Sequence, residues 1–376
     1  MMQINKKKFL YIFFLIQISY GCAQENEPKI EIPEKINYKY EIIIDSLEIP
    51  WGMSFISKDE LLVTEKSGTI YRVNNGVKKI VTGIPEIYLR GQGGLLDISI
   101  HPNFNENNLI YFTASSSLGE ENGGNTALYR ARLKNHALED LKLLYKGEEN
   151  TKKGQHFGSR IAFDDNGYIY FSIGDRGNRE ENPQNTNRDG GKIYRLTDSG
   201  EIPNDNPFVN KKLSKKAIFS YGHRNPQGMI KHPKTGKIWI NEHGPQGGDE
   251  INIIEKGKNY GWPKITFGIN YSGTPITDMT KYPGMEQPFY YWVPSIAPSG
   301  MAFSTSEIYP EWKDNLFIGS LKFEYLERLV IKNNKIIKRE KILENIGGKV
   351  RNVKESPDGY LYVGVDGKGI LKILPN

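Results

Sequence analysis

The fold is decided by a turn-and-strand unit whose clearest copy is Asp165-Asn166-Gly167-Tyr168-Ile169-Tyr170-Phe171-Ser172. Asn and Gly favour a tight turn, and the β-branched and aromatic residues that follow favour a strand. Five further runs of the same kind occur along the chain: Leu61-Leu62-Val63-Thr64, Ile110-Tyr111-Phe112-Thr113, Ile238-Trp239-Ile240-Asn241, Leu316-Phe317-Ile318-Gly319 and Leu361-Tyr362-Val363-Gly364. A second apolar run follows each of them, for example 70–73, 193–196 and 370–373. The sequence therefore predicts six copies of one hairpin.

The spacing of these runs selects the architecture. Their first residues are 49, 59, 69, 78 and 45 positions apart, whereas a four-stranded propeller blade needs ~40 to 45 residues. The surplus in the middle repeats predicts long loops between blades, and loops of that length are usually functional. No helical periodicity persists over three turns. We therefore predict an all-β fold, a six-bladed β-propeller with four-stranded antiparallel blades, with a seven-bladed propeller or a pair of β-sandwiches as alternatives.

Composition excludes several classes of protein. The 376 residues are 38% hydrophobic and 25% charged, which argues against disorder, and 39 Gly and 20 Pro argue against a helical bundle. The formal charge of +6 is not gathered into basic clusters with aromatic residues, so nucleic acid is not an expected partner. Nicotinamide-binding, P-loop, zincin and α/β-hydrolase motifs are absent from the sequence. The six His are scattered, which gives no sign of a three-His zinc site.

The N-terminus predicts export. Lys6, Lys7 and Lys8 precede the apolar run 9–18, which has the pattern of a signal peptide and is too short to span a bilayer. The single cysteine, Cys22, follows Ser19-Tyr20-Gly21 as in a lipobox, although Ser19 replaces the usual Leu; ordinary cleavage beside an incidental Cys is the alternative. We predict a signal peptide at 1–21, a flexible tether at 22–37 and a catalytic propeller at 38–376. The protein is expected in the periplasm or at the outer membrane, with lipid on Cys22 as its only membrane contact.

Polar residues concentrate in glycine-rich loops next to the repeats. Turn chemistry is the better explanation for any one of these loops, but five of them in one chain indicate a shared site at the central channel, where propellers bind ligands. The loops are Arg90-Gly91-Gln92-Gly93-Gly94, Gly154-Gln155-His156-Phe157-Gly158, Gly174-Asp175-Arg176-Gly177, Gly222-His223-Arg224-Asn225-Pro226-Gln227-Gly228 and the segment from Asn241 to Glu250.

Three stretches make a family resemblance specific: 91–97, 222–228 and 244–252, the last followed by Lys258-Asn259-Tyr260-Gly261-Trp262-Pro263. From about Ile49 to its end the chain resembles the soluble dehydrogenases of sugars that depend on pyrroloquinoline quinone (PQQ), and especially their aldose sugar dehydrogenase branch. The resemblance implies a six-bladed propeller, in agreement with the repeat count.

The resemblance also implies roles for single residues. His156 matches the general base, a role that suits an imidazole because it titrates near neutral pH. Asp175 matches the carboxylate beside that base, with a plain turn residue as the alternative. The residues that match cofactor-binding positions are Arg224, Asn225, Lys322, Lys349 and Arg351. Lys349 stands where the family usually has Arg, so we expect weaker cofactor binding because Lys lacks the bidentate geometry of Arg.

Calcium is the metal that the resemblance implies. The backbone carbonyls of Gly244 and Pro245 match ligands of the catalytic ion, and Glu250 and Tyr260 match positions at a second, structural Ca²⁺; a surface acid and a packed ring are the alternatives for this second pair. Gln92 matches a sugar-contacting residue. Gln155 replaces an acid of the glucose-oxidising relative, which puts glucose preference in doubt. Trp292 is a further candidate to cover cofactor or sugar, with a buried packing role as the alternative.

The implied activity is oxidation of an aldose at its anomeric carbon to the lactone, with PQQ and Ca²⁺ as cofactors. Arg224 is expected to stabilise the developing negative oxygen as well as to bind the cofactor. Electrons are expected to pass to a respiratory or artificial acceptor, and the protein to be a monomer or homodimer. Two rivals stay open: a calcium-dependent propeller lactonase or related hydrolase, and a non-catalytic propeller that binds a glycan or a protein.

Overall fold

The computed structural model describes residues 37–376. The predicted signal peptide, Cys22 and the tether up to residue 36 lie outside the described residues. Helical structure in the described part consists of α1 (Phe104–Asn107) and one 3₁₀ turn (Pro310–Trp312). Among these residues, no helix is long and apolar enough to cross a membrane.

Within residues 37–376, twenty-four strands form six antiparallel sheets of four strands each. The first three sheets contain β2 (Pro50–Phe55), β3 (Glu60–Glu65), β4 (Thr69–Asn74) and β5 (Val77–Val81); β6 (Leu95–Ile100), β7 (Leu109–Ser116), β8 (Asn125–Lys134) and β9 (Ala137–Lys146); and β10 (Ile161–Phe163), β11 (Ile169–Ile173), β12 (Lys192–Leu196) and β13 (Ile218–Tyr221). The next two contain β14 (Pro226–Lys231), β15 (Ile238–Glu242), β16 (Asp249–Ile253) and β17 (Tyr290–Trp292); and β18 (Pro298–Phe303), β19 (Leu316–Ser320), β20 (Leu326–Lys332) and β21 (Lys335–Ile342).

The sixth sheet closes the ring. It is built from β22 (Val350–Glu355), β23 (Leu361–Val365), β24 (Gly369–Pro375) and β1 (Tyr38–Asp45), so β1 is the outer strand of the last blade. Tyr38 pairs with Pro375 and Asp45 with Gly369 along this seam. The backbone hydrogen bonds of β1 therefore join the two ends of the ring, and the sixth sheet is not left with three strands.

The predicted six-bladed propeller is confirmed. The six apolar runs of the sequence are β3, β7, β11, β15, β19 and β23, the second strand of every blade. Each blade packs apolar side chains against the next: Leu62 and Ile70 of the first blade share a core cluster with Phe112 of the second. Burial on both faces explains why these strands read as continuous apolar runs instead of alternating ones.

The buried Arg160 links residues of several inner strands near the axis of the propeller. The Arg160 guanidinium donates to the backbone carbonyls of Gln227, Trp51 and Arg351 and to the carboxylate of Asp97. These five residues belong to five different blades. Because Arg160 is only 3% exposed, its charge is neutralised by these partners and not by water, and it serves as an axial hub.

Candidate active site

The sequence-predicted loops meet at one mouth of the central channel. The inner strands β2, β6, β14 and β22 begin there, and the second strands β3, β15 and β19 end there. A cavity of about 170 Å³ opens at this mouth; its lining includes Lys66, Gln92, Phe157, Gly158, His243, Leu321 and Arg351. Five blades contribute to its wall besides the loop of His156. The expected axial site is therefore present as an open cavity.

The His156 loop is held by its neighbour loop. His156 adopts φ +56°, the left-handed region that non-glycine residues rarely occupy. Its backbone N–H donates to Gln92 Oε1 at 2.8 Å, and the Gln92 N–H donates to the Gly154 carbonyl at 2.7 Å. A Cβ on Gly91 would overlap that carbonyl oxygen, so only glycine allows the two loops to approach this closely.

Arg176 also stabilises the loop that carries His156. Its guanidinium donates to the backbone carbonyls of Gln155, Lys153 and Gly124 and lies 3.4 Å from the centre of the Phe157 ring. Arg176 is 2% exposed, and its burial lowers its pKa to about 9. Gln92 and Arg176 together hold His156 in a backbone conformation that an isolated loop would not keep.

His156 and Asp175 form a close pair. His156 Nδ1 lies 2.6 Å from Asp175 Oδ1, and the imidazole is 13% exposed while Asp175 is buried. Asp175 Oδ1 also accepts from the Gly177 N–H at 2.7 Å, and Oδ2 accepts from Trp262 Nε1 at 2.9 Å. With Nδ1 directed at the carboxylate, Nε2 is the imidazole nitrogen left to exchange a proton with a substrate. The predicted base and its predicted partner are therefore brought together.

The environment keeps the imidazole neutral and the carboxyl ionised. Burial lowers the pKa of His156 below its ordinary 6.5; Asp175 opposes this shift, and the positive charges of Arg224 and Arg176 add to it. Burial on its own raises the pKa of Asp175, but the hydrogen bond from His156, the charge of Arg224 and the hydrogen bond from Trp262 outweigh it and leave the pKa below its ordinary value. A neutral imidazole beside an ionised carboxylate is the state required of a general base.

Positive side chains border the cavity. Arg351 lines it and is paired with Asp366 at 2.6 Å. Lys66 lines it too, and its pKa is lowered by burial and by the charge of Arg351. Arg224 lies close enough to His156 to influence its pKa, and its Nη1 donates to the Gly244 carbonyl at 2.8 Å. These positive side chains therefore favour binding of an anionic ligand at the mouth.

Asn225 offers an unused donor. Its Oδ1 accepts from the Gly158 N–H at 3.1 Å, but its buried Nδ2 finds no hydrogen-bond partner among the described residues. Buried amide donors are normally satisfied, so an orphan of this kind in a functional site indicates a ligand. The cations and this amide suit a polycarboxylate such as PQQ, and in this respect the residues present fit the expected cofactor.

The remaining sequence candidates do not line the cavity. Lys322 and Lys349 are exposed and do not line the cavity, although Leu321 and Arg351 close to them in the chain do. Gln155 is exposed next to His156. Trp292 is not brought to the site: it is 1% exposed, packs with Trp239 in a core cluster, and donates from Nε1 to Glu327 at 2.9 Å. Its expected contact with cofactor or sugar is corrected in favour of the packing alternative, because an enclosed indole presents no surface to a ligand.

The Gly244–Pro245 segment has the fixed backbone that carbonyl ligation of a metal needs. Asp249 accepts from the Gly244 N–H at 2.7 Å, and its second oxygen accepts from the N–H groups of Ile296 and Ala297. A Cβ on Gly244 would overlap the Gly247 carbonyl oxygen, so this turn too requires glycine. No group of three His, Cys, Asp or Glu within residues 37–376 could hold a metal by itself. Any cation at this turn therefore has to rely on backbone carbonyls and on its ligand.

Glu250 lies in a small pocket whose lining also includes Glu242, Tyr260 and Arg224. Burial and the charge of Glu242 raise the pKa of Glu250 to about 8. The Tyr260 hydroxyl is occupied, since it donates to the Ile253 carbonyl and accepts from the Glu255 N–H, which leaves only its backbone carbonyl as a ligand. Two neighbouring carboxylates and a carbonyl oxygen are a donor set that suits a hard cation.

Several residues at or near the mouth belong to no motif that predicts a role for them. Lys66 and His243 line the cavity, and Trp262 binds Asp175, yet none of them was assigned a role from the sequence. The repeats contain a signal for these residues: the mouth is formed where inner strands begin and where the second strands β3, β15 and β19 end. Lys66, His243 and Leu321 follow the second strands at the same position of the repeat. Alignment of the repeats by strand direction would have selected all three.

Comparison with known proteins extends these observations. The family model for glucose / sorbosone dehydrogenase matches residues 47–372. The aldose sugar dehydrogenase YliI of Escherichia coli is 39% identical over 344 residues, which are 89% of this chain and 92% of that protein. Quinoprotein glucose dehydrogenase B of Acinetobacter calcoaceticus is 33% identical over 258 residues, 61% of this chain and 53% of that protein.

Two solved structures have the same fold as this chain. The apo-form of the soluble aldose sugar dehydrogenase of Escherichia coli matches with a TM-score of 0.87 at 38% identity, covering 90% of this chain and all of that one. The PQQ-bound form of an aldose sugar dehydrogenase from Streptomyces coelicolor matches with a TM-score of 0.73 at 25% identity, covering 91% and 99% of the two chains.

Proposed function

Because this chain belongs to the glucose / sorbosone dehydrogenase family, we propose that it is a PQQ- and Ca²⁺-dependent dehydrogenase that oxidises the anomeric carbon of an aldose to the lactone. The observation that carries this proposal is the His156–Asp175 pair with Arg224 close by, because the residues that follow His156, Phe157 and Gly158, line a cavity together with Arg351 and Lys66. The site therefore contains a base for the sugar hydroxyl and positive side chains that can bind an anionic electron acceptor.

The roles of the chain's own residues follow from their positions. His156 Nε2 takes the proton of the anomeric hydroxyl, and Asp175 stabilises the imidazolium that forms. Gln92 holds the His156 backbone through Oε1, which leaves its amide nitrogen to bind a sugar hydroxyl. Arg224, Arg351 and the Asn225 amide would hold the cofactor, with the exposed Lys322 and Lys349 as further candidates. PQQ, when bound beside a divalent cation, supplies the two-electron acceptor for the hydride of the substrate carbon.

The PQQ-bound relative supports this choice of cofactor. The lactonase rival finds less support, because such an enzyme needs Asn, Asp and Glu side chains from several blades converging on one ion. The mouth is instead lined by Lys66, Arg351, Gln92 and Gln227. A purely binding propeller has no need of a buried imidazole–carboxylate pair.

The proposal is tested by reconstitution. Purified protein is titrated with PQQ in the presence of Ca²⁺, and dye reduction is then measured with a panel of aldoses. We expect saturable PQQ binding, and bleaching of the bound quinone's absorption when sugar is added. If PQQ does not bind and no aldose reduces the dye, the proposed function is wrong.

The pH dependence of kcat/KM should reveal the lowered pKa of His156. A base works in its deprotonated form, so activity is expected to fall only where His156 becomes protonated. Since burial holds this pKa below 6.5, the acid limb should lie below pH 6.5, with no loss between pH 6.5 and about 7.5 from this group. Steady-state rates from about pH 4.5 to 8 measure the limb, and a limb centred above pH 6.5 would contradict the assignment.

Calcium should stabilise the protein through Glu250. At free Ca²⁺ about a hundredfold above its Kd, the folded state gains about 2.7 kcal/mol, which appears as a higher melting temperature. Glu250→Gln should remove most of this gain because the pocket loses a charged ligand. The matched control is Glu139→Gln, since Glu139 pairs with Lys134 on the exposed side of the second blade. An equal calcium response in wild type and Glu250→Gln would exclude Glu250 as a ligand.

A further inference from the structure

Trp262 contacts the carboxylate that holds the base. Its indole Nε1 donates to Asp175 Oδ2 at 2.9 Å, whereas His156 contacts the other carboxylate oxygen. Trp262 is 6% exposed. No step of the proposed reaction uses this residue, and its sequence context places it only within a family motif.

The residue is itself anchored on two sides. The Trp262 backbone N–H donates to the Gly222 carbonyl at 2.9 Å, and its carbonyl accepts from Gln184 Nε2 at 2.8 Å. The Arg224 guanidinium lies 5.4 Å from the ring centre. Trp262 therefore connects the loop that carries Arg224 and the loop that follows Asp175 to the base itself.

We propose that Trp262 is a positioning residue: its indole N–H fixes the Asp175 carboxylate so that Oδ1 stays directed at His156 Nδ1. The geometric part of this proposal stands on the contacts above, and only its kinetic consequence rests on the proposed sugar oxidation. Without the indole donor, Oδ2 would be a buried acceptor with no partner, and the carboxylate would be free to rotate away from the imidazole.

Loss of the Trp262 donor should change the pKa of His156 in a direction that the surrounding charges determine. The charged or titratable groups that influence the pKa of the His156 imidazole are Asp175, Arg176, Arg224 and His243. Lys192 is a further positive charge that interacts with Asp175. Asp175 alone among the four favours the protonated imidazole. A loosened carboxylate therefore moves the titration of His156 to lower pH.

The experiment compares two indoles that make the same bond. Trp262→Phe removes the donor to Asp175, and Trp292→Phe removes the matching donor of the core residue Trp292 to Glu327, which is also 2.9 Å long. The imidazole titration of His156 is followed by NMR in protein without cofactor, with the resonance assigned by its loss in His156→Ala. We expect a fall of about 0.5 to 1 pH unit in Trp262→Phe and no change in Trp292→Phe.

Kinetics of the reconstituted enzyme supply the second readout. We expect kcat to fall about tenfold in Trp262→Phe, the size of one lost hydrogen bond to a charged group, while the KM for sugar stays within about twofold. Asp175→Asn sets the outer limit, so the titration midpoint of Trp262→Phe should lie between that variant and wild type. Trp262→Leu, which also lacks a donor, replaces the Phe variant if the latter does not fold.

Two results would overturn the proposal. An unchanged His156 titration in a folded Trp262 variant would show that the indole does not position the pair, whatever the activity. Equal shifts in the Trp262 and Trp292 variants would indicate general loosening of the fold. Because the titration needs neither cofactor nor sugar, it remains decisive even if reconstitution fails.

Discussion

Replacing His156 by alanine is expected to lower kcat for aldose oxidation by about 10²–10⁴-fold, the usual contribution of a positioned general base. The imidazole is held 2.6 Å from Asp175, and its side chain is 13% exposed. Asp175 cannot replace it, because it is buried behind the ring and already accepts from Gly177 and Trp262. The measurement is steady-state dye reduction with saturating sugar and reconstituted cofactor.

Cofactor affinity should survive the same substitution. Arg224, Arg351 and Asn225 supply the expected cofactor contacts, whereas the His156 side chain is hydrogen-bonded to Asp175. A PQQ titration of His156→Ala should therefore give a Kd within a fewfold of wild type. His136→Ala is the matched control, since His136 lies in the turn between β8 and β9, away from the mouth. Unchanged turnover in His156→Ala would refute its assignment as the base.

Arg160→Met should destabilise the fold more than any other of these substitutions. It removes a guanidinium that bonds to three backbone carbonyls and to Asp97, and it leaves Asp97 without the cation that now neutralises it. Removing one partner of a buried ion pair typically costs about 3–5 kcal/mol. We expect a matching fall in the free energy of unfolding, measured as a lower urea midpoint at unchanged slope.

Two further variants separate the charge from the bulk of the side chain. Arg132→Met removes an arginine of the same size that is half exposed and pairs with Asp140; it should cost less than about 1 kcal/mol, as surface pairs do. The double variant Asp97→Asn with Arg160→Met should recover part of the loss, since no buried carboxylate is then left without its guanidinium partner. Similar midpoints for Arg160→Met and Arg132→Met would contradict the role of Arg160 as an axial hub.

Repeats and motifs predicted most of the site because they report local structure. The six apolar runs identified the second strand of every blade, and the glycine-rich loops contained His156, Asp175 and Arg224. Gly91 and Gly244 are visible in the sequence because each allows a backbone approach that no other residue permits. Trp292 shows the limit of such patterns: an aromatic residue in a strand can face either the ligand or the core, and only the packing of that strand decides which.

The sequence by itself determined the number of blades, the family and the residue types of the site, because turns, strands and close backbone approaches are encoded by neighbouring residues. Tertiary structure alone decided which distant residues meet. The bond from Trp262 to Asp175 and the contacts of Arg160 with residues of four other blades span 63 to 191 positions. Such contacts arise only when the blades pack around a common axis, because residues so far apart in the chain are not brought together by local structure.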